Sequence, residues 1–334
     1  MKAYEIRNGF GLDHLVLTER PIPKLGQGEV LLRMRAVSLN YRDLLVIKGT
    51  YNPRLPLPLV PVSDGVGEIV EVGPNAKRFA VGCRVAAAFV PGWIEGELTD
   101  TKAKTALGGA VDGLLAEYAV LREEALVSVP AHLSDEEAAT LPCAGLTAWH
   151  GLMVGGIKAG DTVLVQGTGG VSLFALQFAR MTGARVIATS SSDDKLLRLR
   201  ALGACEAINY RTENEWGDIV RKFTHGRGVD HVIEVGGAGT LSQSLRAIRT
   251  GGHIALIGVL SGYGQFNPVP ILMKAVRMTG IFVGSRTMFE AMNRAIEIAG
   301  LRPVVDRVFM FGQSLDALRY LESGAHFGKV VIRF

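Results

Sequence analysis

The chain contains little cysteine. Three cysteines, Cys83, Cys143 and Cys205, are widely spaced along 334 residues and form no C-x-x-C pair. An odd, sparse set does not build a disulfide scaffold and suits a reducing compartment. The first residues, MKAYEIR, enter a strand-like pattern at once and contain no apolar signal core. We therefore expect a cytoplasmic protein.

Long apolar runs and blocks of like charge are also absent. No apolar run approaches the roughly 18 residues of a membrane span, so no membrane association is expected. The net charge of +4 is small and dispersed, and no basic–aromatic stripe occurs. Nucleic acid is therefore not an expected partner, whereas a weakly basic surface fits an anionic small molecule.

What the sequence does contain is sufficient apolar material for large cores. Apolar residues make up 48% of the chain, and 41 glycines indicate many tight turns. The length predicts about two domains. Before residue 140 the pattern is strand-rich and broken by Gly and Pro, which predicts a twisted antiparallel or barrel-like domain with strands at 29–37, 65–72 and 82–89. Residues 91–113 have little periodicity and predict a long loop.

After residue 141 the pattern changes to alternating strands and helices. The periodicity predicts six strands, at 162–166, 185–189, 207–209, 229–235, 253–259 and 278–283. Helical patterns lie between several of them, which predicts a doubly wound parallel sheet. A helix from 288 to 299 and a strand from 329 to 334 follow, and we expect this tail to return to the first domain.

The run GTGGVS at residues 167–172 predicts a site for a dinucleotide pyrophosphate. Gly167 allows a tight turn after the strand, Gly169 lets backbone approach the phosphates, and Gly170 leaves room where the helix packs. The helix N-terminus then offers free N–H groups. Ser172 stands where the pattern expects its third glycine, so packing there is expected to be strained. An ordinary strand–helix turn is the alternative.

The end of the second strand favours NADP over NAD. NAD enzymes place an acidic residue there, and this chain has Ser190. The following Asp193 and Asp194 are better explained as the start of a helix. Ser190 would hydrogen-bond a 2′-phosphate and Lys195 would supply charge, although a solvated surface lysine is the alternative for Lys195.

Four further motifs resemble the medium-chain dehydrogenase/reductase superfamily. They are PVSDGVGEIVEVG at 61–73, VGCRV at 81–85, LPCAGLTAW at 141–149 and GKVVI at 328–332. The resemblance covers nearly the whole chain. It implies a GroES-like catalytic domain over 1–135, a Rossmann NADP-binding domain over 136–285, and a return to the catalytic domain over 286–334. The active site would lie in the cleft between the domains.

Zinc-dependent members of this superfamily hold the catalytic metal with three protein ligands. The position of the first ligand holds Asn40, and the position of the histidine ligand holds Ser63, in Val62-Ser63-Asp64. Only Cys143 falls on a ligand position, and one thiolate does not hold a catalytic zinc. The loop at 91–113 lacks the cysteines of a structural zinc lobe. We therefore expect no metal.

Members without zinc that this chain resembles are NADPH-dependent quinone oxidoreductases and alkene reductases. The match lies in Asn40 and Asp43 and in Gly49-Thr50-Tyr51. The resemblance implies that Asn40 or Tyr51 hydrogen-bonds the substrate carbonyl, while Asp43 is expected to fix local structure rather than transfer protons. It also implies cofactor contacts at Thr147, Gly170, Val171, Ser190, Lys195, Tyr210, Val259, Val283 and Lys329. A surface tyrosine is the alternative for Tyr210.

The sequence thus predicts a zinc-independent NADPH-dependent oxidoreductase that transfers hydride to a quinone or an α,β-unsaturated carbonyl. The loop at 91–113 resembles a zinc-lacking, alcohol dehydrogenase-like subgroup, so a zinc-free alcohol or aldehyde dehydrogenase is the first alternative. Asp64 would then be a candidate proton relay, or else an anchor of the domain. A non-catalytic NADPH-binding protein is the second alternative. Trp93 either walls a pocket or anchors the loop, and the family implies a homodimer formed through strand edges at about 257–283.

Overall fold

The chain divides into two units, each with its own β-sheet. The structure is a computed structural model that describes residues 1–258, 260–262 and 264–334. The first unit comprises Met1–Leu146 with Val283–Phe334, and the second comprises Thr147–Phe282. The domain boundaries expected at residues 135 and 285 stay predictions. Among the described residues, no helix combines the length and the apolarity that crossing a bilayer requires.

The strands are numbered along the chain. They are β1 (Lys2–Ile6), β2 (Leu15–Glu19), β3 (Glu29–Leu39), β4 (Asp64–Val72), β5 (Arg84–Ala87), β6 (Tyr118–Arg122), β7 (Leu126–Ser128), β8 (Thr162–Gln166), β9 (Arg185–Ser190), β10 (Glu206–Asn209), β11 (Val229–Glu234), β12 (Ile248–Leu256), β13 (Arg277–Gly280), β14 (Val305–Met310) and β15 (Lys329–Arg333).

The helices are numbered in the same way. They are α1 (Tyr41–Ile47), α2 (Asp100–Ala103), α3 (Asp135–Ala138), α4 (Leu146–Gly155), α5 (Gly170–Met181), α6 (Asp193–Ala201), α7 (Trp216–Phe223), α8 (Ala238–Ala247), α9 (Val269–Met273), α10 (Arg286–Ala299) and α11 (Ser314–Glu322). A π-helical turn, Leu141–Gly145, precedes α4.

The first unit is built on a seven-stranded sheet in the order β14-β15-β3-β4-β5-β7, with β6 paired to β3. All neighbours run antiparallel except β14 and β15. Apolar side chains of these strands, such as Leu32, Ile69 and Val330, are fully buried and form its core. The predicted GroES-like, β-rich domain is confirmed. The strand expected at 82–89 is shorter, because only Arg84–Ala87 pair with neighbours.

The second unit is a six-stranded parallel sheet in the order β10-β9-β8-β11-β12-β13. This is the order of a doubly wound dinucleotide-binding sheet, and the predicted Rossmann fold is confirmed. The central strands β8 and β11 are buried along their whole length, which explains the mainly apolar sequence of β8. The buried polar residues of β11, Asp230, His231 and Glu234, are hydrogen-bonded instead. The strand expected at 253–259 instead spans Ile248–Leu256, and the one expected at 278–283 spans Arg277–Gly280.

The expected loop at 91–113 contains the short helix α2 and is anchored by Trp93. This side chain is 3% exposed, and its Nε1 donates to the carbonyl of Gly96 at 2.8 Å. The carbonyl of Trp93 accepts from the backbone N–H of Arg286, at the start of α10, at 2.9 Å. These contacts favour the loop-anchor role.

Candidate functional site

Three strand ends bring three of the residues singled out from the sequence together in the first unit. Both β4 and β15 run antiparallel to β3, with Ser38 opposite Asp64 and Leu39 opposite Val330. The last residues of β3 therefore lie beside the first residues of both neighbours. This register brings Asn40, Asp64 and Lys329 together at one end of these three strands.

Asp43 fixes the start of α1, which follows β3 directly. Its Oδ2 accepts a hydrogen bond from the backbone N–H of Asn40, the N-cap residue, at 2.7 Å. The side chain is fully buried, and burial raises the pKa of the Asp43 carboxyl to about 6, although the neighbouring Arg42 opposes the rise. The local-structure role expected for Asp43 agrees with this hydrogen bond.

Asp64 is held from two directions. Its Oδ1 accepts from the Ser63 hydroxyl at 2.8 Å, and its Oδ2 accepts from the backbone N–H of Cys143 at 2.9 Å. Burial raises the pKa of Asp64, and the Lys329 ammonium acts against this rise. Burial likewise raises the pKa of the Cys143 thiol, and the negative charge of Asp64 adds to the effect. Cys143 is therefore a neutral thiol on the π-helical turn.

Lys329 places a buried ammonium at the end of β3. The residue is 3% exposed, and its Nζ donates to the carbonyl of Leu39 at 2.6 Å and to Oδ1 of Asn40 at 2.5 Å. Burial lowers the pKa of Lys329, while the carboxylates of Asp64 and Asp43 raise it. The cofactor contact that the resemblance implies for Lys329 stays a prediction.

Arg42 connects the site to Tyr51, and sequence reasoning missed it. The Nη1 of Arg42 donates to the carbonyl of Leu107 at 2.8 Å. Its guanidinium carbon lies 5.1 Å from the centre of the Tyr51 ring and 4.6 Å from that of Phe89. Such contacts hold a cation against aromatic faces. Tyr51 is 42% exposed and so remains accessible. A lone arginine beside Asn40 carries no motif, and only the folded contacts identify it.

Glycines of the loop at 91–113 pack against a strained residue beside the site, Val62. Val62 has φ +74°, a conformation that β-branched residues rarely adopt, and it precedes Ser63 and Asp64. A Cβ on Gly113 would lie 2.2 Å from the Val62 oxygen, and one on Gly108 would lie 2.7 Å from the Val62 backbone. Glycines at the end of the loop thus allow the close packing that maintains Val62.

In the second unit, the GTGGVS run forms the predicted strand–turn–helix. Gly167 has φ +73°, and Gly169 is the N-cap of α5. A Cβ on either glycine would meet no atom within 4 Å. Gly169 has an ordinary φ of −76°, so its backbone conformation does not require glycine. Its packing against the described residues does not require glycine either. The turn is an open cradle in front of a helix N-terminus.

Ser172 differs from the strained fit expected for it. The residue is 2% exposed, and its Oγ donates to the carbonyl of Gln166 at 2.6 Å. Gln166 is the last residue of β8. Serine at the third glycine position therefore ties α5 to the end of the strand, because the hydroxyl is small enough to pack and polar enough to bond the carbonyl.

Ser190, Lys195 and Tyr210 lie at the carboxyl ends of β9 and β10 or just beyond them. Ser190 pairs with Asn209, and its carbonyl accepts from the backbone N–H of Tyr210 at 3.0 Å. Ser192 caps α6, and its Oγ accepts from the backbone N–H of Lys195 at 3.5 Å. The structure thus places all three near one edge of the parallel sheet. Tyr210 is 41% exposed.

The other expected cofactor residues are divided between the units. Thr147, Gly170 and Val171 belong to the second unit, and Val283 and Lys329 to the first. Val283 has φ +53°, another strained value for a β-branched residue. Val259 lies outside the described residues. Within the described ranges, no three side chains of His, Cys, Asp or Glu are grouped as a metal site requires.

Two family models match parts of the chain. Residues 26–131 match an alcohol dehydrogenase GroES-like domain, and residues 170–297 match a zinc-binding dehydrogenase domain. A zinc-type alcohol dehydrogenase-like protein of Schizosaccharomyces pombe is 46% identical over 97% of this chain and 96% of its own length. An acryloyl-coenzyme A reductase of Metallosphaera sedula is 33% identical over 93% of each chain.

Solved structures agree with these relatives. A protein of Sinorhizobium meliloti named as an alcohol dehydrogenase has a TM-score of 0.94 at 45% identity, covering 100% of this chain and 98% of its own. An NAD-dependent alcohol dehydrogenase has a TM-score of 0.91 at 37% identity, with 100% of both chains covered. A mycobacterial protein solved with NADPH has a TM-score of 0.84 at 28% identity, again with 100% of both covered. The chain therefore belongs to the medium-chain dehydrogenase/reductase superfamily of oxidoreductases.

Proposed function

We propose that the protein is a zinc-independent, NADPH-dependent oxidoreductase that transfers hydride to a quinone or an α,β-unsaturated carbonyl. The cluster at the end of β3 carries this proposal. Zinc binds deprotonated thiols, neutral imidazoles and carboxylates. The three ligand positions hold an amide, a hydroxyl and a thiol whose pKa is raised by burial. The Lys329 ammonium, bonded to Asn40, would also repel a metal cation. These residues do not fit zinc.

The second unit has features that fit NADPH. The open cradle at Gly167 and Gly169 precedes the N-terminus of α5, where N–H groups can bind a pyrophosphate. The last residue of β9 is Ser190, whereas an acidic residue at this position would repel a 2′-phosphate. NADPH, when bound, supplies a hydride to the acceptor, and a proton from solvent completes the reduction. The NADPH-bound mycobacterial structure supports this choice of cofactor.

In the first unit, the donors offered to an acceptor carbonyl are Asn40 and Tyr51. The Nδ2 of Asn40 is buried and makes no hydrogen bond of its own in the described protein. Negative charge grows on the carbonyl oxygen as hydride arrives, and a fixed N–H donor stabilises it. The acryloyl-coenzyme A reductase and a quinone oxidoreductase of Coxiella burnetii, at 27% identity, support acceptors with such a carbonyl.

Zinc-free alcohol or aldehyde oxidation is the second candidate, because several relatives are named alcohol dehydrogenases. That reaction needs a proton relay. Both oxygens of Asp64 already accept hydrogen bonds, from Ser63 and Cys143, which favours an anchoring role for this carboxylate. The first candidate needs no relay from Asp64.

One panel of assays separates these candidates. Oxidation of NADPH and of NADH is measured with quinones, enones, enals and aldehydes, and reduction of NADP⁺ and NAD⁺ with simple alcohols across pH. Each assay is repeated after o-phenanthroline treatment, and zinc is counted by mass spectrometry. We expect chelator-resistant NADPH oxidation with a quinone or enone. Chelator-sensitive activity with stoichiometric zinc would refute zinc independence, and tight NADPH binding without turnover would favour a non-catalytic protein.

We also propose a homodimer that pairs through the edge strand β13. Leu272 and Met273, which precede this strand, are 78% and 74% exposed. Exposed apolar residues beside an unpaired strand edge are typical of association surfaces. The molar mass from light scattering tests this: a 35.8 kDa species at micromolar concentration would contradict it.

A further inference from the structure

The Lys329 ammonium determines how the Asn40 amide is oriented. An ammonium only donates hydrogen bonds, so the atom that faces Nζ at 2.5 Å must be the amide oxygen. The Leu39 carbonyl holds Nζ from a second direction at 2.6 Å. The pairing of Val330 in β15 with Leu39 in β3 keeps the backbones of Lys329 and Asn40 close to each other. The amide nitrogen of Asn40 is therefore fixed on the opposite side.

The Nδ2 of Asn40 is a buried donor, and none of the described residues accepts a hydrogen bond from it. A hydrogen bond from the Asn40 side chain is among the causes that lower the pKa of the Asp64 carboxyl, so the amide faces this carboxylate, but no acceptor among the described residues meets hydrogen-bond geometry with Nδ2. An unsatisfied buried N–H destabilises the folded protein and therefore requires an explanation. The ammonium at Oδ1 also polarises the amide, which strengthens Nδ2 as a donor.

We propose that Lys329 is a positioning residue, whose ammonium holds the Asn40 amide so that Nδ2 donates to the carbonyl oxygen of the hydride acceptor. The proposal rests on the proposed function. It gives the lysine a task that differs from a direct contact with cofactor. It also accounts for an ammonium beside the positions at which zinc-dependent relatives hold their metal: the positive charge acts on the substrate through the amide.

The test compares Lys329→Met, Lys329→Arg, Asn40→Asp and the double variant Lys329→Met/Asn40→Asp. Asparagine and aspartate have the same shape, and the aspartate keeps an oxygen for Nζ but removes the Nδ2 donor. We expect Lys329→Met and Asn40→Asp each to lower kcat for 1,4-naphthoquinone about 10²-fold, the value of one such donor. The double variant should be no worse than either single variant. Lys329→Arg should recover part of the loss.

Two further measurements separate this role from cofactor binding and from folding. The Kd of NADPH, read by fluorescence, should stay at the wild-type value in Lys329→Met. Infrared difference spectra of 2-cyclohexenone bound with NADP⁺, which cannot reduce it, should show a carbonyl stretch that rises in both single variants as the hydrogen bond weakens. An NADPH Kd raised by an order of magnitude with kcat unchanged would overturn the proposal. Additive losses in the double variant would overturn it too.

Removing one buried charge can unfold a protein, so a paired variant is included. Lys329→Met with Asp64→Asn removes both charges together, which is often tolerated. If no Lys329 variant folds, Asn40→Asp decides: full kcat and an unshifted carbonyl band would refute the proposal. A wild-type protein that oxidises NADPH with no quinone or enone would instead refute the proposed function, and the infrared shift would still test the Asn40 donor.

Discussion

Replacing Asp43 with asparagine should stabilise the protein at neutral pH. The carboxyl is fully buried, and only one of its oxygens accepts a hydrogen bond, from the backbone N–H of Asn40. Its pKa rises from 3.8 to about 6 on folding. A raised carboxyl pKa means that the stability present below pH 3.8 is lost as the pH rises through 6. Asparagine keeps the acceptor for Asn40 without this loss.

The size of the effect follows from the two pKa values. Linkage between 3.8 and about 6 gives a cost of about 2 kcal/mol at pH 5 and about 3 kcal/mol at pH 7.5. The advantage of Asp43→Asn over wild type should therefore grow by about 1 kcal/mol between these pH values. Urea unfolding at pH 5 and pH 7.5 measures it. Asp13→Asn, at an exposed aspartate of the same unit, is the control and should change little.

Two results would refute this reasoning. The first is an advantage of Asp43→Asn that does not change with pH, since the burial cost would then not be electrostatic. The second is a variant less stable than wild type at pH 7.5, which would mean that the Asp43 charge is needed. Turnover tests the catalytic alternative separately: a loss of roughly 10²-fold in kcat would assign Asp43 to proton transfer.

Four further predictions concern single residues. His253 is buried and its pKa falls to about 4, so the stability of His253→Gln relative to wild type should rise by about 2 kcal/mol between pH 7.5 and pH 5. Gly113→Ala should cost about 1–3 kcal/mol by thermal unfolding, because its Cβ would meet backbone at 2.2 Å, whereas Gly312→Ala has open space and should cost little. Ser172→Ala should cost about 1 kcal/mol in urea, because the bond to the Gln166 carbonyl is lost. Ser190→Asp should shift kcat/KM from NADPH toward NADH, if NADPH is the cofactor.

The fold could be predicted from sequence because its signals are local. The central strand β8 is a short, mainly apolar run followed by a turn glycine, and burial on both faces favours that composition. The turn at Gly167 is likewise set by neighbouring residues. Strand ends were less predictable. The apolar sequence continues past Gly280, but β13 ends there, because its partner Leu256 is the last residue of β12.

The site could be predicted only in part, because its decisive contacts are long-range. Asn40, Asp43 and Tyr51 lie within a dozen residues and form a recognisable motif. The contact between Lys329 and Asn40 joins residues 289 positions apart, and it depends on the register of β15 against β3. Arg42 is recognisable only through its contacts with rings and a carbonyl that other segments supply.

Electrostatics explains why these buried charges belong together. Two fully buried carboxylates, Asp43 and Asp64, would each be costly alone, and the Lys329 ammonium lowers the pKa of both. An apolar set of similar volume would often be at least as stable, so stability alone does not account for the cluster. In zinc-dependent relatives a metal ion supplies positive charge at this place. Here the chain supplies its own cation, with one net charge instead of two, and bonds it to an amide. Under the proposed function, such a site would polarise a carbonyl through Asn40 without the open metal coordination position on which zinc-dependent alcohol oxidation relies.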